Sequence, residues 1–196
     1  MEKSLVILKP DTTERKLVGT VISRLEAAGL SIVASKILTP TDQQIDKHYQ
    51  IDNDDYCCSI GCKSSKLPVL TVKEAKEQGH NAEKLVAMGR EVLGWNRNYM
   101  KRQPLFIMVV EGNNAITRIR SIIGSTNPPN AAPGTIRFEY GVDSIEQANK
   151  EKRGAENLVH ASGSVEEAEK EISIWFSELG KLNGIQTSEK VKVQAS

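Results

Sequence analysis

Charge of either sign fails to dominate this chain of 196 residues, because 26 lysines and arginines nearly cancel 25 aspartates and glutamates, leaving a net charge of +1. An overall field that weak gives no reason to expect nucleic acid or an anionic membrane as principal partner, so any anion site must be built locally. No apolar run is long enough to cross a bilayer. Met1-Glu2-Lys3 leads straight into a strand-like segment without a secretory apolar region, and the expectation is a cytoplasmic protein. Cysteine is scarce: Cys57, Cys58 and Cys62 are an odd number crowded into one stretch, unlike the even framework of a secreted disulfide scaffold, and read as reduced, oxidisable surface thiols. With His48 or His80 they could offer four zinc ligands, although the paired spacing of a zinc module is missing. Neither Gly-x-x-x-x-Gly-Lys-[Ser/Thr] nor Gly-x-Gly-x-x-Gly occurs, which excludes a Walker loop and a dinucleotide fingerprint.

What is present suits a globular domain: 39% hydrophobic and 26% charged residues, in a chain long enough to bury one good core. Ser4 to Leu8 reads as a buried strand, and Leu17, Val21, Ile22, Leu25 and Ala28 recur at helical spacing up to Gly29. Leu30 to Leu38 is a second strand, Thr41 caps a short helix toward Tyr49, and Leu105 to Val110 is a third strand. Ala115, Ile116, Ile119, Ile122 and Ile123 make one apolar helical stripe ended by Gly124, followed by a loop through Pro133. Leu158 and Val159 form the fourth strand. Ser164 with Glu167 is a capping box opening the last long helix, whose core face takes in Ile172, Trp175 and Leu179. The order predicts a ferredoxin-like βαββαβ sandwich, a four-stranded antiparallel sheet with helices on one face.

The most informative chemistry lies in Asn157-Leu158-Val159-His160-Ala161-Ser162-Gly163-Ser164, where a short apolar run delivers an imidazole into small residues. A histidine there is largely neutral near pH 7, and its ring nitrogen can attack an electrophile without prior deprotonation. A packed or surface histidine is the plainer alternative for any lone residue of this type. Phosphoryl transfer demands cations around the transferring group. Lys9 follows a buried strand, Arg120 lies one turn before Gly124, and Arg137 ends a Pro-Gly-Thr-Ile-Arg turn; singly they could be ordinary surface charges, and together they suit a phosphate cradle.

Three segments in order resemble the nucleoside diphosphate kinase family. They are Val6-Ile7-Leu8-Lys9-Pro10-Asp11 with Leu17-Val18-Gly19, then Gly124-Ser125-Thr126-Asn127-Pro128 with Pro133-Gly134-Thr135-Ile136-Arg137, and last Asn157 to Ser164. The resemblance implies the ferredoxin-like fold and reversible transfer of the γ-phosphate between nucleoside tri- and diphosphates, by a ping-pong route through phosphohistidine at His160. It implies that Lys9, Arg120, Thr126 and Arg137 grip the phosphates and that Asn157 contacts the sugar and terminal phosphate. Tyr49 would sit near the imidazole, Glu171 would fix the ring through its other nitrogen, and Ser162 would complete that network. Mg2+ would travel on the nucleotide, with no protein residue binding metal directly, and the chain would form a homo-oligomer, a hexamer before a tetramer or dimer.

Some features depart from the family pattern. Between Tyr49 and Tyr99 the chain carries about thirty-five residues more than is typical. Its first part, Asp52 to Pro68, reads as a loop, while Val72 to Gly79 and Glu83 to Met100 read as helices. A smaller expansion between Arg137 and Asn157 holds a helix from Ser144 to Lys152. The expected organisation is one domain over residues 1–180, with an insertion at about 52–95, and a polar tail over 181–196. Val92 or its neighbours stand where the family has a base-stacking aromatic, with Trp95 as a substitute; Gly163 replaces a common acidic residue and removes a charge near His160. Lys101-Arg102-Gln103-Pro104 replaces Ser-Gly-Pro with no evident functional reason. An intact site favours an active kinase over two other readings: a nucleotide-binding regulatory or scaffold module of the same fold, and a zinc-stabilised nucleic-acid-binding element.

Overall fold

The computed structural model describes residues 1–177. Four strands, β1 (Glu2–Leu8), β2 (Ser31–Leu38), β3 (Leu105–Gly112) and β4 (Val159–Ala161), form one sheet in the order β2-β3-β1-β4, with every neighbouring pair antiparallel. This is the expected ferredoxin-like order. The connecting helices α2 (Val18–Ala27) and α7 (Ala115–Ile123) lie on one face, packing Val21, Leu25, Ile119 and Ile123 on Val6 and Leu8. The other face is covered as well. Leu5 and Ile7 meet Ile45 of α3 (Asp42–His48), Met100 at the end of α6 (Ala82–Met100) and Trp175 of α10 (Val165–Trp175). The signal for this second layer was the unbroken apolar run at residues 5–8, since a strand half exposed to water would alternate. Trp175 is fully buried as the helical stripe requires, whereas Leu179 lies outside the described residues.

The segment expected to be a loop from Asp52 to Pro68 is instead α4 (Asp54–Ser64), capped by Asn53, whose side chain accepts from the Tyr56 N–H. Its apolar face is unusual in composition: Cys57, Cys58, Gly61 and Cys62 recur at helical spacing and are buried against Leu85, Val86 and Leu93 of α6. The cysteines are therefore core residues, and the expectation of surface thiols is corrected. Burial raises the Cys57 thiol and pushes Cys58 up to about 11, so neither is reactive at neutral pH. A short α5 (Val72–Glu77) joins the pair, and α9 (Ile145–Lys150) occupies the second predicted expansion.

Glycine makes the α4–α6 approach possible. A Cβ on Gly89 would lie 1.8 Å from the Cys57 carbonyl oxygen, and one on Gly61 would lie 2.0 Å from that of Leu85, so the two backbones touch at both points. An alanine at position 89 gains about 1 kcal/mol of helix propensity but must force the helices apart, at a cost of about 3 kcal/mol. Gly94, in the same helix, has nothing within 4 Å of its would-be Cβ. Chemical denaturation should therefore show Gly89→Ala destabilising the protein by about 2 kcal/mol or more and Gly94→Ala stabilising it by up to about 1 kcal/mol.

Two further helices were not foreseen: α1 (Pro10–Glu14), which begins immediately after β1, and α8 (Ile136–Tyr140), which carries Arg137. The fourth strand also starts later than expected. Leu158 has φ +67, a left-handed conformation that no ladder residue adopts, so pairing with β1 begins only at Val159.

Candidate active site

A cavity of about 150 Å³ opens where these elements meet, and its lining includes Lys9, Arg120, Thr126, Arg137, Asn157 and His160. The sequence separates these side chains by up to 151 positions; the sheet order brings β1 and β4 side by side and α7 above them. A wider groove runs over β2 and α10, but among the described residues its lining is mostly apolar, with Lys3 as its one cationic side chain, so chemistry favours the smaller cavity.

His160 occupies the middle of β4, opposite Ile7. Its Nε2 lies 2.7 Å from Glu171 Oε1, and Ser162 donates its hydroxyl to Glu171 Oε2 at 2.6 Å. Ser162 in turn accepts the Leu5 N–H at 3.1 Å. A carboxylate can only accept here, so the network places the ring proton on Nε2 and leaves the lone pair on Nδ1. The side chain keeps 22% of its surface exposed, toward the pocket. Burial first, then the Lys9 charge, pushes its pKa down to about 3, with Arg137 and Arg120 adding to the effect and Glu167 opposing it. The imidazole is thus neutral at any physiological pH. Glu171 is itself buried, seven residues beyond Ser164, and burial raises its pKa against the opposing pull of His48 and Ser162.

Sequence reasoning offered His48 only as a zinc ligand beside the cysteines, and the structure sets it against His160 instead. It is buried with its ring edge-on to His160 at 4.6 Å between centroids, and its Nδ1 accepts the Trp175 indole N–H at 3.3 Å while lying 3.3 Å from Glu171 Oε1. An indole nitrogen is a donor only, so Nδ1 of His48 carries a lone pair and the ring is neutral. Burial pushes its pKa down to about 3, with His160 second among the causes. Tyr49 meets His48 edge-on at 4.9 Å between ring centroids and so stands one ring removed from His160. The signal was there: His48 and Tyr49 are adjacent at the end of α3, where a capping box of Thr41 and Gln44 fixes the helix. Ligand atoms of His48, His160 and Glu171 lie within 4.8 Å of one another, yet hydrogen bonding already employs them in the histidine network.

The cations are held differently from one another. Arg137 is buried and donates Nε to Asn157 O at 2.9 Å, one terminal nitrogen to Gly124 O at 2.7 Å, and the other to Val159 O. Burial and then Arg120 lower its pKa to about 10. Lys9 Nζ donates to Asn157 Oδ1 at 2.7 Å, and Asn157 Nδ2 donates to Thr126 O at 2.8 Å. Burial, then Arg137, lowers the Lys9 pKa to about 8, with Asp11 opposing. Arg120 and the Thr126 side chain are exposed at the rim.

The charge expected to be lost at Gly163 is restored by a neighbour. Ser164 accepts the Glu167 N–H as predicted, but the Glu167 carboxylate accepts from Gly163 N at 2.7 Å instead of closing the capping box on Ser164. A Cβ at position 163 would lie 2.6 Å from that carboxylate, which lines the pocket. Val92 and Trp95 are partly buried on α6 and do not line it. Tyr56 of α4 packs partly buried against the α4–α6 core, and burial, followed by the charges of Glu167 and Glu171, pushes its hydroxyl up to about 12.

The sequence profile of the nucleoside diphosphate kinase family matches residues 2–97 and 59–180. The chain belongs to that family. A nucleoside diphosphate kinase of Pyrobaculum aerophilum is 41% identical over 179 residues, covering 91% of this chain and 96% of the relative. The crystal structure of an NDP kinase from the same organism superposes with a TM-score of 0.77 at 39% identity, over 89% of this chain and 95% of that one. A nucleoside-diphosphate kinase from Borrelia burgdorferi, solved as a transition-state mimic with bound vanadate and ADP, gives a TM-score of 0.69 at 29% identity, over 97% of this chain and 93% of that one. Nucleoside diphosphate kinases use a divalent metal in catalysis. Among the described residues, no helix is long and apolar enough to cross a membrane.

Proposed function

We propose that this chain is an active nucleoside diphosphate kinase with His160 as nucleophile. The observation that carries the reading is an imidazole whose Nε2–H is committed to a buried carboxylate, leaving Nδ1 to a pocket lined by Lys9, Arg120 and Arg137. The Nδ1 lone pair attacks the γ-phosphorus, the bond to the β,γ-bridging oxygen breaks, and the nucleoside diphosphate leaves with that electron pair. Attack places positive charge on the ring, which Glu171 offsets through Nε2–H, while Ser162 holds the carboxylate in place. The three cations and the Thr126 hydroxyl take the phosphate oxygens, and Asn157 takes the sugar and terminal phosphate. After exchange, a terminal oxygen of a second diphosphate attacks the phosphohistidine and the group leaves His160. The bonds broken and made are alike, so direction follows concentration.

The lining, three cations against the single carboxylate of Glu167, suits a phosphate chain that brings its metal with it. Mg2+ held by the phosphate oxygens supplies charge neutralisation there. The cavity takes the phosphate end and leaves the base at the mouth. Residues 1–180 act as one unit with 52–95 as an expansion of the family pattern, in the cytoplasm and as a homo-oligomer, hexamer favoured. Supporting assembly, edge strand β2 exposes Val33 and Ile37.

Incubation with γ-labelled ATP should give an acid-labile, base-stable protein phosphate that passes to GDP or CDP. A wild-type protein that binds nucleotide and never labels would establish the scaffold reading instead. The pH profile has a defined sign. Lys9 has its pKa lowered to about 8, so its charge is present below that value and is lost as pH rises through it. The value of kcat/KM should fall above pH 8, with no acid limb near 6.5 because His160 is already neutral there. Lys9→Met should lower kcat/KM and abolish the alkaline limb.

A further inference from the structure

In an extended strand adjacent residues point to opposite faces, yet Leu158 and Val159 enter one core, and Asn157 lines the pocket together with Val159, His160 and Ala161. The reason is Leu158. Its φ of +67 and the hydrogen bond from Val159 N to Asn157 O, 2.8 Å, make a γ-turn of the rare, strained hand, which reverses the alternation between Leu158 and Val159. As a result Leu158 and Val159, adjacent in sequence, both enter the same core, and Asn157 is turned toward Lys9. A leucine in this conformation persists only where its surroundings impose it.

Those surroundings are specific. The Leu158 N–H donates to Asp11 Oδ2 at 3.0 Å, and the Leu158 carbonyl accepts from Lys9 N at 2.8 Å and from the Thr12 hydroxyl at 2.5 Å. Asp11 is 1% exposed, and its other oxygen accepts the Tyr99 hydroxyl at 2.5 Å. Tyr99 is held from outside by Arg102, whose guanidinium lies 5.1 Å from the ring centroid and reaches Glu14 at 2.7 and 2.9 Å and Glu156 at 2.6 Å. The Lys9 ammonium also lies over that ring, at 5.8 Å. Neither Asp11 nor Tyr99 lines the pocket.

We infer that Asp11, braced by Tyr99, is the positioning residue that imposes the γ-turn at Leu158 and so sets Asn157 beside His160 in the pocket for phosphoryl transfer. This rests on the reading of His160 as nucleophile. It also gives Arg102, in the segment without an evident role from sequence, a place: its guanidinium clasps Tyr99 against α1 and the approach to β4.

The test separates positioning from folding. Single-turnover labelling of His160 by γ-labelled ATP is measured beside the melting temperature for wild type, Asp11→Ala, Leu158→Gly and the double variant. Asp11→Ala should slow labelling about 100-fold, because the turn loses the acceptor that imposes it. Glycine takes the left-handed conformation without strain, so adding Leu158→Gly to Asp11→Ala should recover labelling at least about 10-fold while lowering the melting temperature further. Labelling and stability then move in opposite directions, which a purely structural role cannot produce. Wild-type labelling rates in Asp11→Ala, or a double variant slower than Asp11→Ala, would overturn the inference. If Asp11→Ala does not fold, Tyr99→Phe substitutes, with a fall of about 5-fold expected and an unchanged rate overturning it. An unlabelled wild type would defeat the assignment of His160 instead, and the two failures are distinguishable.

Discussion

His160→Ala should yield a folded protein that binds nucleotide and forms no phosphoenzyme, with transfer reduced at least about 10,000-fold, equivalent to about 5.5 kcal/mol of barrier. The size of the effect follows from the site having no substitute. His48 is the nearest other imidazole, but it is 7% exposed, its Nδ1 accepts from Trp175, and it does not line the pocket. The cations are untouched by the substitution, so affinity for nucleotide should change little. Stability should fall by about 1–3 kcal/mol, since Glu171 Oε1 loses its shortest partner while Ser162 keeps the other oxygen. Rapid-quench labelling and nucleotide titration check the two halves. Retention of transfer by the variant would place the nucleophile elsewhere.

Arg137→Lys should be nearly as damaging, although it conserves charge. Arg137 uses one planar fork to hold the carbonyls of Gly124, Asn157 and Val159, and so fixes the loop after α7 and both sides of the turn before His160. An ammonium on a flexible stem cannot reach all three. Asn157 O keeps the Val159 N–H, and each other buried carbonyl left without a donor costs about 1–3 kcal/mol, so a stability loss of about 2–4 kcal/mol and a fall in kcat/KM of about 100-fold or more are expected. Arg120→Lys provides the contrast. That residue is exposed at the rim, and its replacement should lower activity with little change in denaturation midpoint. Equal stability losses in the two variants would mean that the carbonyl clamp is not what distinguishes Arg137.

Much of the sheet was legible because strand and helix periods differ and because Gly29, Gly124 and Thr41 mark their ends in ways that follow from backbone sterics and unpaired amides. The pocket-lining residues were legible through their order along the chain; Lys9, Arg120, Thr126, Arg137, Asn157 and His160 all line one cavity. The failures share a cause. A helix whose buried face is Cys57, Cys58, Gly61 and Cys62 carries a weak apolar signal, and its partner glycines on α6 show their purpose only when the two backbones are seen in contact. His48 was read only as a possible partner of the cysteines because nothing in the sequence shows that its neighbour is His160. The turn at Leu158 was unreadable for a similar reason: leucine is an improbable residue for positive φ, and its N–H is held by Asp11, 147 positions away.

The hydrogen bonds that complete the site join opposite ends of the chain. Leu5 N donates to Ser162, Lys9 to Asn157, and Leu158 to Asp11, across 157, 148 and 147 positions. During synthesis, nothing resembling the finished phosphate pocket can exist until almost the whole polypeptide has left the ribosome. A nascent chain halted before Glu171 would hold the first strand and all three cations, yet would remain catalytically silent.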